Sequence, residues 1–336
     1  MTGATGFIGS RIVRQLLTQG REVIALVRGG TQQELALRRC SGLGRLTVVA
    51  GDVMGPNLGL SGEDLAMVQS TISQIVHAAA VYRLDISWAE AMKTNVQGTA
   101  NVLAIFGARN DIELHYISSI TVAGRAAAST PELPVDAPAD FRNHYERSKW
   151  HAEKIVGGNG VMPTRIYRPG IVIGDSSGGV TSKFDGPYAA FAMMWRHLPF
   201  LLPGDCAFTF PLVTVDLVAD TVCAGLGERP NGLDVLHVID KEAPTLRQFT
   251  REMVRRLAGH ERIWTVPKSL FRAVARSDVL LPLFGIQRQT LSYMDGIGPF
   301  QTTRFTDACR RWNVQPARLE RAFDAIALYY ALADRK

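Results

Sequence analysis

Three glycines at three-residue spacing open the chain, in Thr2-Gly3-Ala4-Thr5-Gly6-Phe7-Ile8-Gly9. Glycine permits a tight turn and lets the backbone come close to a bound group. Apolar residues then recur at helical spacing from Phe7 to Leu17. Glu22-Val23-Ile24-Ala25-Leu26-Val27-Arg28 follows and reads as a strand. A glycine turn, a helix and a strand in this order specify the opening of a doubly wound, mainly parallel α/β sheet. The N-terminus of that helix presents free N–H groups and a positive dipole end to a pyrophosphate. Gly3, Thr5, Gly6, Phe7 and Ile8 are therefore candidate cofactor-binding residues. Such a sheet places its first strand ahead of the turn, at its centre. Met1-Thr2 leaves almost no strand there. The expectation is that residues preceding Met1 complete it, and that an added apolar strand raises the melting temperature and tightens cofactor binding.

The end of the strand at Arg28 bears on the choice of cofactor. An acidic residue there binds the ribose 2′-hydroxyl of NAD, whereas arginine accommodates a 2′-phosphate. Arg28, with no acid beside it, favours NADP(H) over NAD(H), and Arg38 or Arg39 is available to assist. Three further strands are expected at Leu46–Ala50, Gln74–Ala80 and Leu114–Ser119. The small residues Ala78, Ala79 and Ala80 let the backbone approach a cofactor, and His77 reads as a packed core residue. Met92–Phe106 reads as a helix.

Bulk properties exclude several classes. The chain has 336 residues, enough for one large α/β domain and a smaller lobe. Its net charge of +6 includes no Lys/Arg block, which argues against nucleic acid. A phosphorylated cofactor or a CoA-type substrate accounts for the surplus equally well. Cys40, Cys206, Cys223 and Cys309 are too dispersed for a metal site or a disulfide frame, and a reducing cytoplasm is the expected setting. The histidines form no metal-binding cluster, so no metal is expected. The most apolar stretch, from Tyr188 to Pro203, is broken by Arg196, His197 and Pro199, so no integral membrane segment is expected.

Tyr145-Glu146-Arg147-Ser148-Lys149 stacks a tyrosine and a lysine on one helix face. A cation beside a phenol favours the phenolate and lowers its pKa. Upstream, Tyr116-Ile117-Ser118-Ser119 ends a strand in two hydroxyls, at the edge where such sheets bind ligands. With the glycine turn, and in this order, these stretches resemble the extended short-chain dehydrogenase/reductase family over most of the chain. The resemblance implies a Rossmann-type domain over residues 1–175. Residues 176–336 are then mainly a C-terminal substrate-binding lobe, with some segments returning to the core. It implies a catalytic Ser119 (Ser118 as the alternative), Tyr145 and Lys149. It places Asp52 and Val53 beside the adenine, and Pro169, Gly170 and Ile171 along the nicotinamide. Asn95-Val96-Gln97-Gly98-Thr99 resembles a family stretch whose asparagine bridges backbone groups. Ala123 stands where the family carries an aromatic, which implies a roomier substrate side.

The resemblance narrows after residue 168. Arg168–Ser176, Phe184–Tyr188 and Pro211–Val218 look like the branch that reduces fatty acyl and other thioesters. That branch implies hydride transfer to the carbonyl of an acyl-CoA or acyl-carrier thioester, giving aldehyde or alcohol. An acyl-carrier protein is then a partner. The alternatives are a ketone or aldehyde reductase or hydroxysteroid-type dehydrogenase, a sugar-nucleotide epimerase or dehydratase, and a non-enzymatic NADP-sensing regulator. A homodimer is left open. Asp216 is expected to cap the helix after it, and Thr245 the helix from Leu246 to Leu257. Lys268–Phe284 reads as lobe core or tunnel lining, and Ala317–Leu332 as the last helix.

Overall fold

The computed structural model describes residues 1–29, 39–125, 129–136, 138, 140–181, 187–188, 191, 194, 200–204, 206–275, 288–294, 296–315 and 319–333. In chain order, the main elements are helix α1 (Phe7–Thr18), strands β1 (Val23–Val27) and β2 (Leu46–Ala50), helix α2 (Gly62–Thr71) and strand β3 (Gln74–His77). Then come α3 (Trp88–Ala91), α4 (Gly98–Phe106), β4 (Glu113–Ile117), α5 (His144–Gly157), β5 (Thr164–Pro169), β6 (Ile171–Ile173), β7 (Phe200–Pro203) and β8 (Leu212–Thr214). The last are α6 (Val215–Gly225), β9 (Leu233–Val238), α7 (Leu246–Ala258), β10 (Ile263–Val266), α8 (Lys268–Ala275), α9 (Thr303–Trp312) and α10 (Leu319–Ala333).

The chain divides into two compact units. The first comprises Met1–Gly170, Asp216–Val238 and Phe300–Gln315. Its strands pair in parallel as β1 with β2, and as β3, β4, β5 and β9 in order. Thr2 joins the two sets, bridging Leu26 on one side and His77 on the other. One residue thus occupies the first-strand position, and the order reverses there. β4 and β5 are buried along their whole lengths, as strands covered on both faces must be. Their apolar residues share a core with Val102, Phe106, Ala152 and Val156 of the covering helices. α5 starts where Asn143 accepts the Glu146 amide at 3.0 Å, a side-chain cap with an acid in the first turn.

The second unit comprises Ile171–Val215, Ile239–Pro299 and Pro316–Lys336. β6 pairs with β8 and β7 with β10, both in parallel. Its core gathers Phe191, Phe249, Met253, Phe323 and Tyr330. Thr245 and Gln248 form a reciprocal capping box at the start of α7.

Two expectations, on Met92–Phe106 and on Asp216, change in detail. The expected helix from Met92 to Phe106 includes a wider π-type stretch at Met92–Gln97 before α4. β5 ends at Pro169, as Pro169-Gly170 suggests: the Gly170 amide bonds the Val238 carbonyl, whereas the Ile171 amide bonds that of Pro211. Asp216 lies inside the first turn of α6, where a carboxylate suits the helix dipole, and so does not precede the helix as a cap. The last helix is described over Leu319–Ala333, and the expected start at Ala317 lies outside the described residues. Arg38, Phe184-Asp185-Gly186 and residues 276–284 lie outside the described residues.

Candidate active site

All strands of the first unit run the same way, so their carboxyl ends share one edge. The glycine turn, Arg28, Asp52-Val53, Ala78-Ala79-Ala80, Ser118-Ser119 and Pro169-Gly170 follow or end successive strands along that edge. Ligands of open α/β sheets bind there, where the strand order reverses.

The turn is shaped by contact. Gly3 has φ of +68°, and a Cβ placed on it would stand 2.5 Å from the Ala78 and Ala79 backbone. A Cβ on Gly9 would overlap the Gly3 carbonyl. The two loops flanking the reversal therefore pack backbone on backbone. Gly6 caps α1 without a side-chain acceptor, which leaves the helix start open to an anion. Thr5, Phe7 and Ile8 stand in that turn and first helical residues. Arg28 is exposed beyond the end of β1. Asp52 accepts the Met54 amide at 2.9 Å, and Val53 is buried. These features fit a dinucleotide. Ile171 opens β6 in the second unit.

On α5, Tyr145 and Lys149 are both buried, and the two serines after β4 diverge. Ser118 turns inward and donates to Glu153 at 2.5 Å. Ser119 bonds the Thr121 hydroxyl at 2.9 Å and stands near enough to the Tyr145 phenol to act on it. The structure thus separates the two candidates: Ser119 meets the tyrosine and Ser118 does not. Burial pushes the Tyr145 phenol up, nearby Tyr82 adds to this, and the Ser119 hydrogen bond works against it. Tyr145 is a firmly protonated phenol.

Lys149 differs from the expectation. Its ammonium donates to the Tyr116 hydroxyl at 3.0 Å and to the Ile117 carbonyl at 2.7 Å, and it is not among the groups shifting the Tyr145 phenol. The helical spacing brings the two residues onto one face, but the lysine tip is drawn to β4. Burial lowers its pKa to about 7, with Glu153 opposing.

Three further residues shape the site. Tyr116 holds the lysine, and its place depends on sheet register, which no local pattern reveals. Tyr82 sets its ring edge-on to that of Tyr145, with centroids 5.0 Å apart. Asn95 accepts the Val81 amide at 2.8 Å and donates to Ser148 at 2.9 Å, and Ser148 in turn donates to the Tyr145 carbonyl at 2.8 Å. It thereby ties the loop after β3 to α5. His77 is buried between Thr2 and Thr99. Among the described residues, no group of three or more His, Cys, Asp and Glu could hold a metal, and no helix is long and apolar enough to cross a membrane.

A glycine turn at the strand reversal, with a serine, a tyrosine and a lysine along the same edge, defines an extended short-chain dehydrogenase/reductase. The chain belongs to the NAD-binding family described as male sterility protein, whose model matches residues 1–222. It is 32% identical over 215 residues to a component of the linear gramicidin synthase of Brevibacillus parabrevis, covering 58% of this chain and 4% of that one. It is 29% identical over 283 residues to the L-2-aminoadipate reductase large subunit of Penicillium chrysogenum, covering 74% and 20%. The chain thus spans only a small part of these relatives. The fold matches that of the terminal R domain from the myxalamid PKS-NRPS biosynthetic pathway, with a TM-score of 0.80 at 23% identity over 99% of this chain and 90% of that one.

Proposed function

We propose that the chain is an NADP-dependent reductase that converts an acyl thioester, borne by CoA or a carrier protein, to an aldehyde. The observation that carries this reading is the Ser119–Tyr145 hydroxyl pair beside the cofactor edge. The L-2-aminoadipate reductase and synthetase relatives support the substrate class. When bound, a reduced nicotinamide cofactor supplies the hydride. Gly3, Thr5, Gly6, Phe7 and Ile8 hold its pyrophosphate, Arg28 the 2′-phosphate and Asp52 with Val53 the adenine. Ala78, Ala79, Ala80, Pro169 and Gly170 border the nicotinamide, and Lys149 holds the ribose hydroxyls. Ser119 donates to the substrate carbonyl oxygen, as an oxyanion-hole donor does. Tyr145, which keeps its proton at neutral pH, delivers that proton to the same oxygen as negative charge builds on it. The resulting hemithioacetal expels the thiol and leaves the aldehyde. A cytoplasmic setting suits such a substrate.

The test is consumption of NADPH, and separately of NADH, by the purified chain with a panel of acyl-CoA thioesters, carrier-loaded thioesters, aldehydes and ketones. Thioester-dependent oxidation of NADPH with aldehyde or alcohol formed is the expected result. Turnover of ketones or aldehydes alone moves the function to a carbonyl reductase. Binding of NADPH with no consumption on any of them overturns the enzyme reading in favour of an NADP sensor.

A further inference from the structure

A file of buried polar side chains runs from the catalytic lysine to the glycine turn. Lys149 donates to the Tyr116 hydroxyl at 3.0 Å. The Thr99 hydroxyl acts on the Tyr116 phenol, and Thr99 meets His77 Nε2 at 3.0 Å. His77 Nδ1 lies 2.6 Å from the Thr2 hydroxyl, which accepts the Ala79 amide at 3.2 Å. All five side chains are at most 5% exposed. Buried polar atoms must be paired, and here the pairing fixes the protons.

Thr99 donates its one proton to the Asn95 carbonyl at 2.7 Å. Its oxygen is then an acceptor for His77 Nε2–H. His77 is therefore neutral with its proton on Nε2, and its bare Nδ1 accepts from Thr2. Burial, with lesser contributions from Lys149 and the N-terminal amine, holds His77 down at about 3, in keeping with that neutral form. On β4, the Tyr116 oxygen and the Ile117 carbonyl both offer lone pairs to Lys149. That geometry suits an ammonium.

We propose that Tyr116 is a positioning residue for Lys149: its hydroxyl fixes the lysine tip and, through Thr99, His77 and Thr2, ties it to the Ala79 backbone against which the glycine turn packs. The site that grips the pyrophosphate and the lysine that grips the ribose are thereby held in one register. The proposal rests on the assignment of Lys149 to the cofactor ribose, and its test needs neither substrate nor cofactor.

The groups facing the lysine tip are Tyr116 and the Ile117 carbonyl on β4, His77 on β3, and Tyr145 and Glu153 one turn away on either side along α5. Removing the Tyr116 oxygen takes a lone pair from the ammonium, disfavours its charged form and lowers its pKa. The experiment is a pH titration of the protein carrying lysine labelled with 13C at Cε. The Lys149 resonance is assigned by its loss in Lys149→Met. Tyr116→Phe keeps the ring and should lower the Lys149 midpoint by about one pH unit. Thr99→Val takes away the hydroxyl that links the Tyr116 phenol to His77 and should lower the midpoint in the same direction, while Thr99→Ser should leave it in place. An unchanged midpoint in a folded Tyr116→Phe overturns the proposal. If Tyr116→Phe does not fold, equal midpoints for Thr99→Val and Thr99→Ser overturn it instead. A failed thioester assay with the expected midpoints would leave the positioning role standing and remove only the substrate assignment.

Discussion

The Ala78 backbone lies 2.5 Å from where a Cβ on Gly3 would stand, so the glycine turn and the loop after β3 are locked against each other. Gly3 also holds φ of +68°, a conformation costly for residues with a side chain. Gly3→Ala must therefore part the two loops at the strand reversal. The expected loss is about 3 kcal/mol of stability, from strain and overpacking together. Urea denaturation measures it, and nicotinamide fluorescence should show cofactor binding lost at a temperature where the variant is still folded.

Arg28 is exposed at the end of β1, so its side chain adds little to packing. Arg28→Ala should therefore leave the melting temperature unchanged. A charge-assisted bond to the 2′-phosphate is worth about a tenfold change in affinity or more. The dissociation constant for NADPH should rise by about that factor while that for NADH stays put. Equal effects on both cofactors would remove Arg28 from the 2′-phosphate site.

The sheet was legible because its strands are short apolar, β-branched runs separated by turn residues, as in Val23–Val27 and Leu46–Ala50. The start of α5 was legible in outline, since the Tyr145/Lys149 spacing needs a helix and Asn143 supplies its cap. What the pattern did not carry was the partner of the lysine. Tyr116 lies 33 residues earlier in the chain and reaches Lys149 through sheet packing, which no local spacing encodes. The end of β5 at Pro169 was legible in Arg168-Pro169-Gly170, whereas the two distant carbonyls that take the next amides were not. Ser118 and Ser119 alternate across the end of one strand, and only the inward position of Glu153 separates them.

Glu153 and Arg168 form a sealed ion pair, which Ser118 and His237 extend. Arg168 also donates to the Leu133 carbonyl at 2.9 Å, so the pair anchors the segment between β4 and α5. Glu153→Gln leaves a buried guanidinium without its counter-charge. The expected destabilisation is about 3 kcal/mol by urea denaturation. Replacing both partners by apolar residues of similar volume should cost less than this single change.

Acid should unfold the protein through its buried histidines. His237 accepts from Arg168 on Nε2 and donates to the Gln301 carbonyl on Nδ1, so it is held neutral. Burial first and Arg168 second lower its pKa from 6.5 to about 4. A histidine lowered in the fold contributes nothing above its unfolded pKa. Below that value the unfolded chain takes up the proton and the native state does not. Stability is thus full above pH 6.5 and falls as pH drops toward 4, by on the order of 3 kcal/mol for this group. Urea denaturation at stepped pH should show this fall, and His237→Asn should reduce the slope between those limits by up to one proton.

The division of labour between Tyr145 and Ser119 gives the sharpest chemical test. Tyr145 holds its proton firmly, so the Tyr145→Phe variant lacks the donor while the ring and its edge-on contact with Tyr82 remain. Turnover should vanish with NADPH affinity nearly intact. Ser119→Ala removes one hydrogen bond to the forming oxyanion and should cost about 100-fold in kcat. It also takes away the one interaction that lowers the Tyr145 phenol by hydrogen bonding. The phenol should rise further, and activity lost in Ser119→Ala should not be recovered by raising the pH. Ser118→Ala serves as the contrast: it takes a bond from Glu153, so its effect should appear in stability and leave the chemical step alone.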